Sequence, residues 1–530
     1  MEWRKNVVAD NLNHTTMERV SRIRSLLIAT SLSIVILMMS QSASAQTLDV
    51  TKRLKGFDQT VEKILKEWNV PGCGIGIVYK DKLVYAKGFG FRDIEGKLPV
   101  TPNTLFHIAS NTKLFTSVAI GLLVEEGKLE WDKPIRNYVP QLEFYNNELN
   151  NNVTIRDMLS HRTGISRHDA LWIRSGFTRH ELFERIKYLE PTLPLRQGYI
   201  YNNLMYVAAG QIIEIISGQT WEEYVQLRIF NPLVMSHSVF DVPEMIKQPD
   251  FMRAYTEERE TDILLRSPLY NSMQGLGSAG SIVSSINDMS NWVIAQIYRG
   301  KFRGEQVIPA SVIRETMRPI TPTSSVPESN FENLNAVYGM GRSTSSYKGH
   351  YLVQHGGSVG GIYSNVSIMP ADSIGVIVFT NRVSQLPSLI TYAVYDLLLG
   401  LPETPWIERA YKTYMTGKET SREARSKPDT VRVHGTTPSH ALCDYAGEYE
   451  DAAYGVVTIS CTAEGLRFKF NYADMPLYHY HYDRFVTPDD QFMGKWSVLF
   501  GTDAGGIVIE LRIAFDDKEV VFARKPQAMR

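Results

Sequence analysis

The sequence is poor in cysteine, in net charge and in recognisable metal ligands, and each shortage excludes a class of protein. Three cysteines in 530 residues exclude a dense disulfide scaffold and a four-cysteine metal site. A formal net charge of −1 provides no basic field for nucleic acid, so no nucleic-acid partner is expected. Neither an H-E-x-x-H motif nor a cluster of His, Asp and Glu at ligand spacing occurs, and we therefore expect no metal and no cofactor.

Long apolar runs are also scarce. The uncharged run at residues 26–39 is short for a spanning helix, which needs about 20 residues. Arginines precede this run and small residues ending in Ala45 follow it, which is the order of parts in a secretory signal peptide. The sequence predicts cleavage after Ala45 and export to the periplasm or the medium, with no stable membrane span afterwards. An uncleaved anchor is the alternative, and translation from Met1 or Met17 is left open.

The length and the changing composition predict more than one domain. A chain of 530 residues is too long for one ordinary core. Helical and strand patterns alternate through the first four hundred residues, with strands from both ends implying one sheet closed by distant segments. A charged stretch poor in aliphatics indicates a linker with some helix, and alternating residues beyond it indicate an antiparallel barrel or sandwich. The predicted parts are a signal peptide (1–45), a first domain (46–401), the linker (402–438) and a C-terminal β-barrel domain (439–530).

The cysteines leave a disulfide undecided, and the glycines around Cys73 do not form a dinucleotide-binding motif. Cys443 and Cys461 lie close in sequence, and a disulfide or two buried thiols are equally compatible with the spacing. Cys73 lies in a glycine-rich run that invites comparison with a dinucleotide-binding fingerprint. No helix follows that run, and residues 70–90 instead predict a β-hairpin.

The most informative segment is Ser110-Asn111-Thr112-Lys113, at the predicted start of a helix that ends near Gly127. A serine and a lysine three residues apart lie on the same face of a helix. A serine hydroxyl is a weak nucleophile until a base removes its proton, and an amine in a dry pocket can lose its charge and become that base. A helix N-terminus also favours developing negative charge. A serine that only caps the helix is the alternative.

Two later segments complete an ordered set. Tyr201 and Asn203 precede an amphipathic helix, and His355-Gly356-Gly357-Ser358 interrupts a pair of predicted strands. In order, S-x-x-K, Y-x-N and H-G-G resemble the three motifs of the penicillin-recognising serine hydrolases. That family includes class C β-lactamases, D-alanyl-D-alanine carboxypeptidases, D-aminopeptidases and related esterases. Residues 154–165, 275–291 and 338–341 resemble further segments of the same family.

The resemblance, which covers about residues 54–401, implies a fold. The family has an α/β sandwich of the β-lactamase and penicillin-binding type, an antiparallel sheet beside a helical lobe, with the active site in the cleft between them. The C-terminal part resembles the small lipocalin-like barrel that is appended to many β-lactamase-related proteins. We therefore expect an α/β sandwich followed by a small all-β barrel domain.

The resemblance also implies roles. Ser110 would attack a carbonyl and form an acyl-enzyme, and Lys113 would hold and help to deprotonate it. Tyr201 would accept the serine proton and pass it to the leaving group, while Asn203 would orient the lysine and bind a substrate amide. Packing and capping are the alternatives for Tyr201 and Asn203. His107, His161 and His168 match no motif and are predicted as packing or surface residues.

The third motif departs from the β-lactamase pattern, which has lysine, then threonine or serine, then glycine. Gly356 and Gly357 would let a substrate backbone lie against the strand edge, and the N–H of Ser358 would pair with that of Ser110 as an oxyanion hole. His355 would be a titratable, weaker cation than lysine, with a pKa near 6.5 unless shifted. This change weakens recognition of a β-lactam carboxylate and favours peptidase or esterase activity.

Two classes of function follow. The first is an exported serine hydrolase with a Ser-Lys-Tyr acyl-enzyme mechanism on a small-molecule or peptide substrate. Within it, D-residue or carboxypeptidase-like peptides rank before esters, and β-lactam hydrolysis is a weak side activity. The second is a catalytically silent peptide- or cell-wall-binding protein of the same fold. The intact Ser110, Lys113 and Tyr201 favour the enzyme, and the oligomeric state is left open.

Overall fold

The computed structural model describes residues 48–268, 275–323, 332–515 and 518–526. The predicted signal peptide lies outside these residues. The described residues fall into two units, and residues 48–55, with helix α1 (Val50–Arg53), belong to the first while those from Gly56 onward belong to the second. Within the described residues, no helix combines the length and the apolar character that crossing a membrane requires.

Nine antiparallel strands form the central sheet of the second unit. In chain order they are β1 (Gly72–Tyr79), β2 (Lys82–Asp93), β3 (Leu98–Pro99), β4 (Thr321–Pro322), β5 (Asn333–Tyr338), β6 (Ser343–Tyr347), β7 (His350–Val359), β8 (Ile362–Met369) and β9 (Ile374–Thr380). Their order across the sheet is β4-β5-β6-β7-β8-β9-β1-β2-β3. Strand β1 pairs with β2 in the predicted hairpin and with β9, where Cys73 lies opposite Thr380. The expectation of one sheet closed by distant segments is confirmed.

Helices cover both faces of this sheet and build a lobe beside it. The remaining described helices are α2 (Phe57–Glu67), α3 (Thr112–Glu125), α4 (Asn147–Asn152), α5 (Ile155–Leu159), α6 (Arg179–Arg185), α7 (Asn203–Ser217), α8 (Trp221–Val225), α9 (Val242–Met245), α10 (Ile286–Ile297), α11 (Ala310–Thr316), α12 (Leu386–Leu399) and α13 (Trp406–Ser426). Helix α10 packs on β1 and β9, α12 packs on β8 and β9, and α3 packs on α7 and α11. Helix α3 is enclosed on all sides over Thr112–Leu123, because apolar residues fill most of its circumference.

The glycine run of β1 has a packing role. A Cβ on Gly76 would lie 2.6 Å from Cγ2 of Ile286, the first residue of α10, and one on Gly74 would lie 3.2 Å from its Cγ1. Glycine therefore lets α10 approach the sheet closely, which is what the glycine run does in place of binding a nucleotide.

The third motif lies within a strand, which differs from the expectation that it interrupts two strands. His355 to Val359 belong to β7 and pair with β8, with Gly357 opposite Ser364. Only the Gly360–Gly361 turn separates the two strands, and both glycines have positive φ. Two adjacent glycines at 356 and 357 suggested a loop, but the ladder with β8 holds them extended.

The C-terminal part is a closed barrel of eight strands. They are β10 (Gly447–Asp451), β11 (Gly455–Thr462), β12 (Gly465–Phe470), β13 (Ala473–His481), β14 (Arg484–Val486), β15 (Ser497–Thr502), β16 (Val508–Phe515) and β17 (Lys518–Arg524). The predicted barrel is confirmed. Six buried phenylalanine rings pack in it: Phe468, Phe470, Phe485, Phe500, Phe515 and Phe522. A disulfide joins Cys443 to Cys461 of β11, and Cys73 is a buried free thiol.

The segment between the sheet and the barrel, predicted as a linker with some helix, contains the 21-residue helix α13. Tyr414 of this helix stacks on Trp68 with ring centres 5.3 Å apart, and Lys418 lies 3.0 Å from a carboxylate oxygen of Glu257. Residues 427–441, which follow α13, are mostly exposed. The first half of the segment is therefore packed on the protein, and the second half connects it to the barrel.

Candidate active site

Ser110 lies in a short 3-10 turn, Ala109–Asn111, that leads directly into α3. No side chain caps α3, so the capping alternative for Ser110 does not describe the structure. Ala109 has a φ of 47°, a left-handed conformation that costs a residue other than glycine roughly 1–3 kcal/mol. Such strain persists only where the surroundings impose it. The turn thus holds Ser110, which is partly exposed, in one direction without using its hydroxyl as a cap.

The amine of Lys113 makes three contacts that orient it toward Ser110. Its Nζ lies 2.8 Å from Oδ1 of Asn203, 2.7 Å from the carbonyl oxygen of Ala279 and 3.1 Å from Oγ of Ser110. The first two atoms can only accept hydrogen bonds, so they take the two N–H groups of a neutral amine. The lone pair is then left for the Ser110 hydroxyl, which is the geometry that proton transfer from serine to lysine requires.

Burial favours the neutral form of this amine. The Lys113 side chain is completely enclosed, and this burial holds its pKa well below its usual range. The negative charge of Asp169 acts in the opposite direction, and the positive charge of Arg167 lowers the pKa further. An uncharged amine can accept a proton, which agrees with the expectation of a lysine in a dry pocket.

Tyr201 lies beside Lys113, with the lysine Nζ 4.9 Å from the centre of the phenol ring. Burial raises the pKa of Tyr201, and its contact with Ser110 only partly offsets that rise. The phenol is therefore a proton donor in the resting site. The pKa directions favour Lys113 over Tyr201 as the group that first takes the serine proton, whereas the sequence assigned this step to Tyr201.

Asn203 uses its side chain to hold Lys113. The cap of α7 is the preceding residue, Asn202, whose side chain accepts the N–H of Met205. Asn203 is free of that task, and its Nδ2 donates to Oδ1 of Asp169 at 3.2 Å. This bond fixes which end of the Asn203 amide faces Lys113, because Asp169 can only accept. The predicted orienting contact between Asn203 and the lysine is therefore present.

His355 is held on both ring nitrogens. Its Nδ1 lies 2.5 Å from the carbonyl oxygen of Gly356, so Nδ1 carries the proton, and its Nε2 accepts from the hydroxyl of Tyr338 at 2.9 Å. Burial lowers the pKa of His355 to about 4. The imidazole is therefore neutral near pH 7. It differs in this respect from the titratable cation that the sequence suggested.

The edge of β7 from His355 onward lies against the Ser110 turn. Strand β6 pairs with β7 only before His355, and the rest of β7 pairs with β8 alone. A Cβ on Gly357 would lie 2.9 Å from the backbone N of Ser110, so glycine is needed for this approach. Ser358 follows with an exposed side chain. The free edge could accept an extended peptide as an added strand. The pairing of the Ser110 and Ser358 amides as an oxyanion hole stays a prediction.

A cavity of about 270 Å³ lies beside His355. Its lining residues are Tyr199, Tyr201, Tyr338, Ser343, Gln354, His355, Gly356, Tyr363, Asn365 and Ser388. None of these described residues carries a formal charge while His355 is neutral. Aromatic faces with a few polar groups suit an uncharged substrate group.

The structure adds neighbours that motif reasoning did not select. His161 is completely buried, its ring centre lies 4.3 Å from that of Tyr201, and its Nδ1 accepts the N–H of Asn202. His107 and His168 are buried as well, so packing is correct for all three histidines and the surface alternative is wrong. Asp169 contacts Asn203, and Tyr338 contacts His355. No local pattern marks these residues, because the fold alone brings them to the site.

In the part of the chain that the structure describes, no group of three or more His, Cys, Asp or Glu side chains could hold an ion. The chemistry available at this site is that of a hydroxyl, a neutral amine, a phenol and backbone amides.

Two known proteins are similar to this chain in sequence. Over 453 residues the chain is 26% identical to the unguisins hydrolase ungD of Aspergillus violaceofuscus, covering 78% of each protein. Over 341 residues it is 25% identical to protein flp of Staphylococcus aureus strain N315, covering 63% of this chain and 64% of flp.

Two solved structures have a similar fold. The octameric penicillin-binding protein homologue from Pyrococcus abyssi superposes with a TM-score of 0.59 at 24% identity, over 89% of this chain and 100% of that one. The D-amino acid amidase from Ochrobactrum anthropi, solved with L-phenylalanine amide, superposes with a TM-score of 0.54 at 22% identity, over 65% and 97%.

Family comparison agrees with the geometry. Residues 431–524 match a family described as a domain of unknown function (DUF3471), which covers the barrel. Residues 57–400 match the family described as Beta-lactamase, which covers the sheet, the helical lobe and every residue of the candidate site. The chain therefore belongs to the beta-lactamase family, as a related serine hydrolase with an added C-terminal domain.

Proposed function

We propose that this protein is an exported hydrolase that cleaves peptide bonds, or carboxylic esters, through an acyl-enzyme on Ser110. The single observation that carries this proposal is the set of contacts around Lys113. Two fixed acceptors take its N–H groups, burial favours its neutral form, and the hydroxyl of Ser110 lies 3.1 Å from its nitrogen. A catalytically silent binding protein has no use for a buried, neutralised lysine beside a serine that a strained turn at Ala109 holds in place.

The proposed steps use these residues in turn. Lys113 takes the hydroxyl proton of Ser110 as Oγ attacks the substrate carbonyl, and backbone amides of Ser110 and Ser358 stabilise the oxyanion. Tyr201 donates its phenolic proton to the leaving group as the acyl-enzyme forms, and the ammonium of Lys113 restores that proton. Water then attacks the carbonyl carbon of the acyl-enzyme as Lys113 takes one of its protons. The ester bond to Oγ breaks, the Lys113–Tyr201 pair returns that proton to Oγ, and the acid and free Ser110 are released.

The lining of the site favours some substrates over others. The cavity beside the neutral His355 is lined by uncharged residues, and the nearby cation, Arg167, is already bound to the carboxylate of Asp169. D-residue amides and peptides therefore rank before carboxypeptidase-like substrates and before β-lactams. The names of the unguisins hydrolase and the D-amino acid amidase are compatible with amide substrates. Simple esters rank second, because an alcohol leaving group depends less than an amine on the proton that Tyr201 donates.

Export is part of the proposal and has separate support. The arginine-flanked uncharged run at residues 26–39 is typical of a signal peptide. The disulfide between Cys443 and Cys461 is typical of proteins that fold in an oxidising compartment. Fractionation of cells that express the full sequence, with N-terminal sequencing of the product, tests cleavage after Ala45. Recovery of an uncut chain in the membrane fraction would contradict it.

The activity is tested by a labelled fluorophosphonate followed by a substrate panel. Covalent labelling of the purified protein separates the enzyme from the silent binder, which would not react while folded. The panel contains D- and L-aminoacyl amides, short peptides with free and amidated C-termini, short acyl esters and a chromogenic cephalosporin. Fastest turnover of an uncharged D-residue amide or an amidated peptide is expected. Turnover only of substrates with a free carboxylate would contradict the proposed class.

His355 makes the pH dependence of activity a further prediction. Because its pKa is about 4, kcat/KM should show no imidazole step between pH 5.5 and 8, on an anionic or on a neutral substrate. His355→Leu removes the acceptor for the Tyr338 hydroxyl and should lower kcat/KM by about tenfold, the value of roughly one hydrogen bond. A step near pH 6.5 on the anionic substrate alone would mean that the imidazolium holds a carboxylate after all.

A further inference from the structure

The barrel contacts the 3-10 turn Asp169–Leu171, which lies beside the candidate site. His168 lies immediately before this turn, and its Nδ1 forms a 2.8 Å hydrogen bond with the hydroxyl of Tyr454, in the turn between β10 and β11. Nδ2 of Asn471, between β12 and β13, donates to the carbonyl oxygen of Ala170 at 2.7 Å. Asp169 is therefore flanked on both sides by residues that bind the barrel.

Asp169 in turn contacts the residues that hold the lysine. Its Oδ1 accepts from Nε1 of Trp172 at 2.8 Å and from Nδ2 of Asn203 at 3.2 Å, and its Oδ2 accepts from Nε of Arg167 at 2.7 Å. Only 16% of the Asp169 side chain is exposed. Asn203 links Asp169 to the lysine, because its Oδ1 accepts a hydrogen bond from Nζ of Lys113 at 2.8 Å.

We propose that Asp169 is a positioning residue for the Ser110–Lys113 pair, and that the C-terminal barrel holds it in place through His168 and Ala170. The barrel thereby contributes to the geometry of the hydrolase site. This inference rests on the proposed function, since it assigns a role in activating Ser110.

Strain in the segment agrees with this role. His168 has a φ of 49°, which a residue other than glycine adopts only when its surroundings impose it. The barrel supplies those surroundings, because the 168–177 segment meets it at further points. The guanidinium carbon of Arg174 lies 4.8 Å from the ring centre of Tyr472, and a Cβ on Gly455 would lie 2.9 Å from the ring of Phe177. Close packing of this kind leaves little freedom for the turn to move.

Asp169 also acts on Lys113 through its charge. The titratable and charged groups around Lys113 are Asp169, Arg167, Tyr201, Tyr206, His161 and His355. Asp169 is the one carboxylate of this described set, and its charge raises the pKa of Lys113 against the effect of burial. Its removal should therefore lower that pKa further. A purely structural role would not move the pH profile.

The test of Asp169 uses the full chain and two variants. Asp169→Asn keeps the size and one acceptor oxygen but removes the charge, and it should shift the acid limb of kcat/KM to lower pH. Asp169→Ala also removes the acceptor and should lower kcat by roughly ten- to a hundredfold, with a smaller change in KM. Asp444→Asn, a change of the same kind outside the site and its barrel contacts, is the control. A folded Asp169→Asn variant with the wild-type limb and kcat would overturn the positioning role.

The test of the barrel uses Tyr454→Phe, which keeps the ring stacked on Phe515 and removes only the hydroxyl. We expect a severalfold lower kcat and a slower fluorophosphonate reaction at Ser110, with the melting temperature nearly unchanged. Tyr480→Phe is the matched control, since its hydroxyl binds Asp429. Equal activity of the two variants would overturn the barrel's part. If Ser110→Ala keeps its activity, the proposed function fails; if Ser110→Ala is inactive and these variants are normal, only this inference fails.

Discussion

Replacing Ser110 by alanine is expected to abolish covalent labelling and to lower turnover by at least about a thousandfold. The change removes the only atom that can form the acyl-enzyme. It should leave the melting temperature almost unchanged, because the hydroxyl is partly exposed and does not cap α3. Labelling by a fluorophosphonate, followed by peptide mass spectrometry, locates the adduct.

A matched serine provides the control for that experiment. Ser236→Ala makes the same chemical change at an exposed position outside the site, and both labelling and turnover should equal those of the unmodified protein. An adduct on any serine other than 110 in the wild-type protein would refute the nucleophile assignment, as would turnover by Ser110→Ala within tenfold of wild type.

The second large effect is expected for Lys113 and Tyr201 together. Lys113→Met and Tyr201→Phe should each lower kcat by about a hundredfold or more, since they remove the base and the phenolic proton. The double variant should be little worse than the more damaged single one, because the two groups pass one proton in sequence. Losses that multiply in the double variant would show that the two groups act independently.

Folding must be measured in the same series. Lys113→Met leaves Oδ1 of Asn203 and the carbonyl of Ala279 without their buried donor, at a cost of about 1–3 kcal/mol each. Urea unfolding therefore accompanies the kinetics, and assays are run where each variant is folded. Lys128→Met and Tyr188→Phe are matched controls at exposed positions and should behave as wild type in both measurements.

The sequence pattern predicted the elements that are determined by residues close together along the chain. Helix α3 occupies Thr112–Glu125, close to the helix that the apolar spacing predicted between residues 110–113 and Gly127. The β1–β2 hairpin follows from two strand patterns around a short turn. The order of the motifs placed Ser110, Lys113, Tyr201, Asn203 and His355 in one site, and the fold brings them together. Such features depend on residues that are neighbours along the chain or members of a recognisable set.

The rest depends on distant contacts that no single segment encodes. Asp169 is one carboxylate among many in the sequence, and it reaches Asn203 only because the 168–172 segment folds against α7. The neutral state of His355 follows from burial and from Tyr338, seventeen residues away in sequence. Adjacent glycines at 356 and 357 obscured the strand that contains them, because its ladder is completed by β8. The protonation state of His355 and the contact of Asp169 with Asn203 could therefore be found only in the structure.

The central claim is that a neutral Lys113 activates Ser110, and the rate of fluorophosphonate labelling against pH tests it most directly. Burial holds the pKa of Lys113 well below its usual range, so the rate should already be near its plateau at pH 7 and should fall only at lower pH, as the amine becomes protonated. The acid limb should disappear in Lys113→Met together with most of the rate. A wild-type rate that instead rises about tenfold per pH unit from pH 6 to 9, as an ordinary lysine with a pKa near 10.4 requires, would contradict the account.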